Sequence, residues 1–258
     1  ELNVSVLPFG NQVQVFDGGE VGKDPAEDGE VKIVFDVPED VIDNTLNVEV
    51  RLAPSVAATA LGALEYLTSY PYGCTEQTMN SFLPNIIVSN TLRELGIEMP
   101  EIEKDLPDMV NAGLARLYKY QHWEGGWGWW GYDEPKARTT AYVVYGLNLA
   151  KKAGYHVDDG VLMRGKRALG VFLNKPKSVD DLVYNLFIMS EVGERFLPRL
   201  DEMIVRREEL SNYSLALLTL TLKNVERLDD ARIVLGDLLQ RARGDNARTY
   251  WDASQEEW

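Results

Sequence analysis

The chain has one cysteine, Cys74, and two histidines, His122 and His156, among its 258 residues. A lone cysteine closes no internal disulfide. One cysteine with two histidines also falls short of a zinc site, so no metal is expected. No run approaches the roughly 20 apolar residues that a helix needs to cross a bilayer. Positive charge is scarce as well: 26 basic residues face 41 acidic ones, a net charge of −15. The deficit is uneven, with −9 in residues 1–52 and −6 in the remainder. Such a surface repels phosphate backbones, which argues against a nucleic-acid partner.

Apolar residues make up 45% of the sequence, enough for the core of one large domain or of one domain and a smaller piece. Residues 1–52 alternate apolar and polar side chains in "LNVSVLPF", "QVQVFDGG", "VKIVFDVP" and "LNVEVRLA". That period of two predicts a β-rich flanking segment, part of a sandwich-like module or its connecting strands. From residue 53 to 258 the period changes to that of helices. "PSVAATALGALEYLTSY" predicts a buried helix. "TEQTMNSFLPNIIVSNTLRELG" predicts another, kinked or broken near Pro84 and stopped by Gly96. Leu106, Met109, Val110, Gly113, Leu114 and Leu117 keep a 3.6-residue spacing.

Helical hairpins recur. "AYVVYGLNLAKKAGYHVDDGVLMRGKRALGVFL" is echoed by "YSLALLTLTLKNVERLDDARIVLGDLLQRA": a small and apolar helix, a bend, Asp-Asp, then an amphipathic helix. Stacked hairpins of this kind form a solenoid or a ring. Inner helices that are apolar on more than one face favour the ring, so the expected fold is mainly α, an α/α toroid preceded by the small β-strand segment. The helices expected are fewer than a closed ring needs. The sequence also opens mid-pattern and stops at "WDASQEEW", so it reads as a piece of a longer chain, truncated before closure.

Cys74 stands three residues before Gln77 in "SYPYGCTEQTMNSF". Positions i and i+3 share a helical face, with Cβ atoms about 5–6 Å apart. A thiolate there can attack the side-chain carbonyl carbon of Gln77, expel ammonia and leave an internal thioester. Pro71 and Gly73 shape the entry turn. The competing reading is a buried structural cysteine near a helix start, and the spacing alone does not separate the two.

The wider stretch carries more. Pro71, Tyr72, Gly73, Cys74, Glu76 and Gln77, followed by Met79, Phe82, Pro84 and Asn85, strongly resemble the thioester region of the α2-macroglobulin and complement family. Tyr70 and "QHWEGGWGWWGYDEPKARTTAYVVYGL" resemble its bacterial branch. The resemblance spans about 55–258. It implies an α/α-toroid thioester domain in a covalent proteinase trap, not an enzyme. After bait cleavage, the Cys74–Gln77 thioester would acylate lysine amines of the attacking proteinase. No cofactor is implied beyond the thioester itself.

Tyr70 and Tyr72 flank the sulfur and could shield it, with ordinary core packing as the alternative; the resemblance favours shielding at Tyr70, with other domains of the parent chain completing the cover. Glu76 and Gly73 would support the thioester, Glu76 as a negative charge at a helix start. The implied location is the periplasm or cell envelope, with any membrane attachment made through a lipid anchor elsewhere in the parent; secretion is the alternative. Some complement relatives redirect the acyl group to hydroxyls with a downstream histidine, which would fall within 175–195. No histidine stands there, so direct aminolysis is expected.

Two rival classes remain at this level. One is a non-covalent toroidal binding module. The other is a cysteine hydrolase with Cys74 as nucleophile and His122 or His156 as base. The aromatic stretch "HWEGGWGWWGYDEP" invites a sugar-binding reading, but packing at one end of the toroid accounts for it more simply. The Asp-Asp pairs at 158–159, 180–181 and 229–230 sit where helix starts are expected and suit capping better than metal.

Overall fold

The computed structural model describes residues 67–244 and 248–252, together with scattered positions between 13 and 50. The chain divides into two units, Glu1–Pro54 and Ser55–Trp258. The strands expected over 1–52 fall largely outside the described residues, and the scattered positions described there lie in no strand. The helix expected from Pro54 also falls almost wholly outside them. In the first unit one turn is described: the Thr45 N–H and hydroxyl both donate to the Ile42 carbonyl, at 3.1 and 2.6 Å.

The second unit is mainly helical. Its described helices are α1 (Thr75–Leu95), α2 (Pro100–Glu103), α3 (Leu106–Tyr120), α4 (Ala137–Lys152), α5 (Asp159–Leu173), α6 (Val179–Glu191), α7 (Leu197–Val205), α8 (Asn212–Asn224) and α9 (Leu228–Gln240). A two-stranded antiparallel ribbon follows, β1 (Arg243–Gly244) paired with β2 (Thr249–Tyr250), with Arg243 opposite Tyr250.

The packing order gives the architecture. Helices α1, α4, α6 and α8 contact one another in sequence, each against the next. The alternate helices pack outside them: α3 on α1, α5 on α4 and α6, α7 and α9 on α8. This is a series of α/α hairpins with an inner and an outer row, as the recurring pattern predicts. Both echoed segments form such hairpins, α4–α5 and α8–α9.

Local signals set the ends. Asp158 caps α5 by accepting from Val161 N–H at 3.0 Å. Ser178 and Ser211 cap α6 and α8 in the same way. The Asp-Asp pairs occupy the cap and first turn of α5 and the first turns of α6 and α9, and Asp180 also accepts from the hydroxyls of Ser211 and Ser214, tying the start of α8 to α6. Gly96 ends α1 in the left-handed conformation, φ +62°. Of the kink or break expected near Pro84, the break does not occur: α1 continues through it from Thr75 to Leu95. Met79 and Phe82 on one side of the proline, and Ile86 and Val88 on the other, are all fully buried. Tertiary packing of both halves outweighs the loss of one helical hydrogen bond.

Helices approach closely where one lacks a side chain. The Phe82 ring fills the space over Gly113 of α3, and the Met79 methyl sits over Gly146 of α4. Trp127, from the loop between α3 and α4, rests against Gly165 of α5 and is fully buried. Its indole N–H donates to the Leu117 carbonyl at 2.7 Å. The other tryptophans of that loop do not join the core: Trp123, Trp129 and Trp130 are exposed. The expected packing of the aromatic stretch therefore holds for Trp127. The Trp127→Ala variant should lose about 3–5 kcal/mol of stability, read as a lower urea midpoint.

Candidate functional site

Cys74 is the N-cap of α1, in extended conformation, and Gln77 is the third residue of its first turn. The Cys74 backbone N–H donates to Gln77 Oε1 at 3.0 Å. Gln77 N–H faces the Cys74 side chain in return, which completes a capping box. Thiol and carboxamide are thus held on the same turn by the geometry that starts the helix. Gly73 makes room for this. Its φ of +80° lies in the left-handed region. A Cβ there would collide with Gln77 Oε1 and lie 2.7 Å from Gln77 Cδ. Glycine lets the carboxamide lie flat against the backbone of the entry turn.

The aromatic loop and α3 hold this turn from outside. Thr75, fully buried, donates its N–H and its hydroxyl to the Trp129 carbonyl, at 2.8 and 3.0 Å. The Gly73 carbonyl accepts from Arg116 Nη2 at 2.5 Å and from the Tyr120 hydroxyl at 3.0 Å. Arg116 Nε reaches Thr78 Oγ1 at 3.3 Å. The Tyr120 ring meets Trp130 edge to face, with centroids 6.2 Å apart. None of Thr75, Arg116, Tyr120 and Trp129 is marked by the local motif. Arg116 and Tyr120 stand four apart on α3 beside its apolar face, a visible pairing whose target is not.

The remaining expected residues lie as follows. Glu76 is exposed in the first turn of α1. Its charge reaches Tyr142 of α4, whose hydroxyl donates to Asn80 at 3.3 Å. The Tyr142 phenol is held above the usual tyrosine range, first by burial and then by Glu76. Tyr70 and Tyr72 are 59% and 68% exposed, Gln77 is exposed, and Cys74 is partly buried. Gln77 is thus open to solvent and Cys74 partly so. His122 is engaged in its own loop, where its Nδ1 accepts from Glu124 N–H at 3.3 Å and its ring lies tilted against Trp123, with centroids 5.3 Å apart. His156 is exposed just before α5. Among the described residues no group of three or more histidine, cysteine, aspartate and glutamate side chains is placed to hold a metal.

A helical-hairpin domain with a cysteine–glutamine capping box at the start of an inner helix defines a class of protein, and comparison with known proteins agrees. The family model for the A-macroglobulin TED domain matches residues 36–167. The chain belongs to that family. It is 39% identical over 116 residues to the α2-macroglobulin of Thermotoga maritima, covering 45% of this chain and 7% of that protein. It is 30% identical over 146 residues to the α2-macroglobulin of Escherichia coli, covering 54% of this chain and 9% of that protein. It thus spans less than a tenth of these curated relatives. The crystal structure of native E. coli α2-macroglobulin, from domain MG7 to the C-terminus, superposes with a TM-score of 0.58 at 25% identity. That match covers 73% of this chain and 32% of the other. Salmonella α2-macroglobulin reacted with methylamine gives 0.59 at 25% identity, over 72% of this chain and 13% of that one.

The Gly73→Ala variant should drive the Gln77 carboxamide off the entry turn and add about 1–2 kcal/mol of backbone strain. Amide hydrogen exchange reads this directly. The Cys74 N–H, bonded in the wild type, should exchange faster in the variant, and unchanged protection would contradict the arrangement.

Proposed function

We propose that this chain is the thioester-bearing domain of a bacterial covalent proteinase trap. The observation that carries the reading is the capping box itself: the one thiol in the sequence and a carboxamide carbonyl are held on one helical turn, with the carbonyl oxygen already bonded to a backbone N–H. Cys74 Sγ adds to Gln77 Cδ, the C–N bond breaks, and the thiol proton leaves with the amide nitrogen as ammonia. The product is an internal acyl donor. A lysine amine of an attacking proteinase later adds to the same carbon, the C–S bond breaks, and the Cys74 thiol is regenerated. An isopeptide bond then links Gln77 to the attacker. The event happens once per molecule, so the chain acts stoichiometrically and not as an enzyme.

Capture cannot rely on free lysine. With a pKa of about 10.4, a lysine amine is neutral only about 0.04% of the time at pH 7. Holding a proteinase beside the bond compensates, because effective molarities for oriented groups are very large. Resting hydrolysis must be prevented by excluding water. The exposure of Gln77, Tyr70 and Tyr72 on this chain supports a cover completed by other domains of the parent, with the two tyrosines as its local part. Glu76 and Gly73 support the turn, the first by charge at the helix start and the second by space.

The names of the relatives support the proteinase-trap reading, and the methylamine-reacted relative supports carrying amine reactivity to Gln77. The reading puts the parent in the periplasm or cell envelope, lipid-anchored outside this chain, with secretion as the alternative. Among the described residues no helix is long and apolar enough to cross a membrane.

Intact mass of the freshly purified parent protein tests the chemistry. Thioester formation should leave it about 17 Da light, and methylamine should then add about 31 Da at Gln77 and release one titratable thiol. Cys74→Ala and Gln77→Ala should each abolish both changes. A wild-type protein of full mass that takes up no amine sinks the reading.

A further inference from the structure

The Gly73–Cys74 peptide is engaged on both edges. Its carbonyl oxygen accepts from Arg116 Nη2 at 2.5 Å and from the Tyr120 hydroxyl at 3.0 Å. Its N–H donates to Gln77 Oε1 at 3.0 Å. No described peptide bond is cis, so these groups point to opposite sides of one planar unit. We propose that Arg116 and Tyr120 are positioning residues that activate the Gln77 carbonyl through this peptide, making the Cys74 N–H an oxyanion donor for the thioester chemistry. The inference rests on the thioester reading and assigns it machinery on α3.

Oε1 is the atom on which negative charge develops whenever a nucleophile adds to Gln77 Cδ. That happens when the thiol closes the thioester and again when an amine opens it. A fixed donor at that oxygen stabilises both tetrahedral intermediates. A single amide N–H is a modest donor. A cation and a hydroxyl on the carbonyl of the same amide polarise it, which strengthens the N–H on the far edge.

The supporting groups are themselves constrained. Arg116 Nη2 also donates to the Tyr120 hydroxyl at 2.8 Å, and Nε reaches Thr78 in the first turn of α1 at 3.3 Å. The Tyr120 ring is braced edge-on by Trp130 and lies under the guanidinium, 5.4 Å from Arg116 Cζ to the ring centroid. Both residues are half-buried. Two donors, one of them ionic, exceed what a turn carbonyl needs for its pairing, and their charge sits one peptide from the reacting bond.

The test uses the full parent protein with glutamine labelled by carbon-13 at Cδ. Difference infrared spectra before and after methylamine isolate the thioester carbonyl, and thiol release gives the rate of amine uptake. In Arg116→Met the rate should fall roughly tenfold, less than the loss of a whole oxyanion donor, and the carbonyl band should move to higher frequency. Tyr120→Phe keeps the ring against Trp130 and should move both in the same direction by less. Arg116→Lys should recover most of the rate, because the charge returns.

If Arg116→Met does not fold, Tyr120→Phe carries the same two readings. Variants that merely melt earlier, with wild-type band position and rate, overturn the inference and leave the thioester reading standing. A wild-type protein that takes up no amine overturns both.

Discussion

The bond from the Cys74 N–H to Gln77 Oε1 is the constraint on which the site depends. Its net contribution to stability is about 1 kcal/mol, as for any backbone-to-side-chain bond. Its value lies in position. It brings the carboxamide against the turn that carries the thiol, and it does so with a device, the capping box, that helices use merely to satisfy their first N–H groups. The Cys74–Gln77 pair and the start of α1 are one structure, so whatever fixes the helix start fixes the geometry of the pair.

What fixes it lies elsewhere in the chain. Thr75 is pinned by the Trp129 carbonyl, and Gly73 by Arg116 and Tyr120. These clamps come from α3 and from the loop after it. That loop is anchored in turn by Trp127, which is fully buried against Gly165. Phe82 and Met79 seat α1 on α3 and α4 through Gly113 and Gly146. The order runs from hydrophobic burial, which sets the inner row of helices, to a few polar ties, which set the orientation of one peptide. Packing supplies the larger energy and the polar ties supply the direction.

The open face of the pair follows from the same arrangement. Gln77 stands exposed in the first turn of α1, and Tyr70 and Tyr72 are exposed just before it.

Much of this was legible in the residues. The 3.6-residue spacing of Leu106, Val110, Gly113, Leu114 and Leu117 marks α3, Gly96 marks the end of α1, and Asp158 marks the start of α5. The recurring small-apolar and amphipathic segments mark the hairpins. Cys74 and Gln77 declare a shared turn by spacing alone, and the surrounding residues declare the family. Pro84 does not break α1, and local preference could not tell this, because it carries no knowledge of Phe82 and Ile86 being buried on either side of it. Arg116, Tyr120 and Trp129 carry no local sign of their targets, since their bonds to Gly73 and Thr75 join residues 43 to 54 positions apart. Periodicity and short-range geometry are properties of neighbouring residues and can be read along the chain. Which carbonyl a distant guanidinium finds, and which tryptophan is buried among four in one loop, are decided when helices pack, because only packing brings those atoms together.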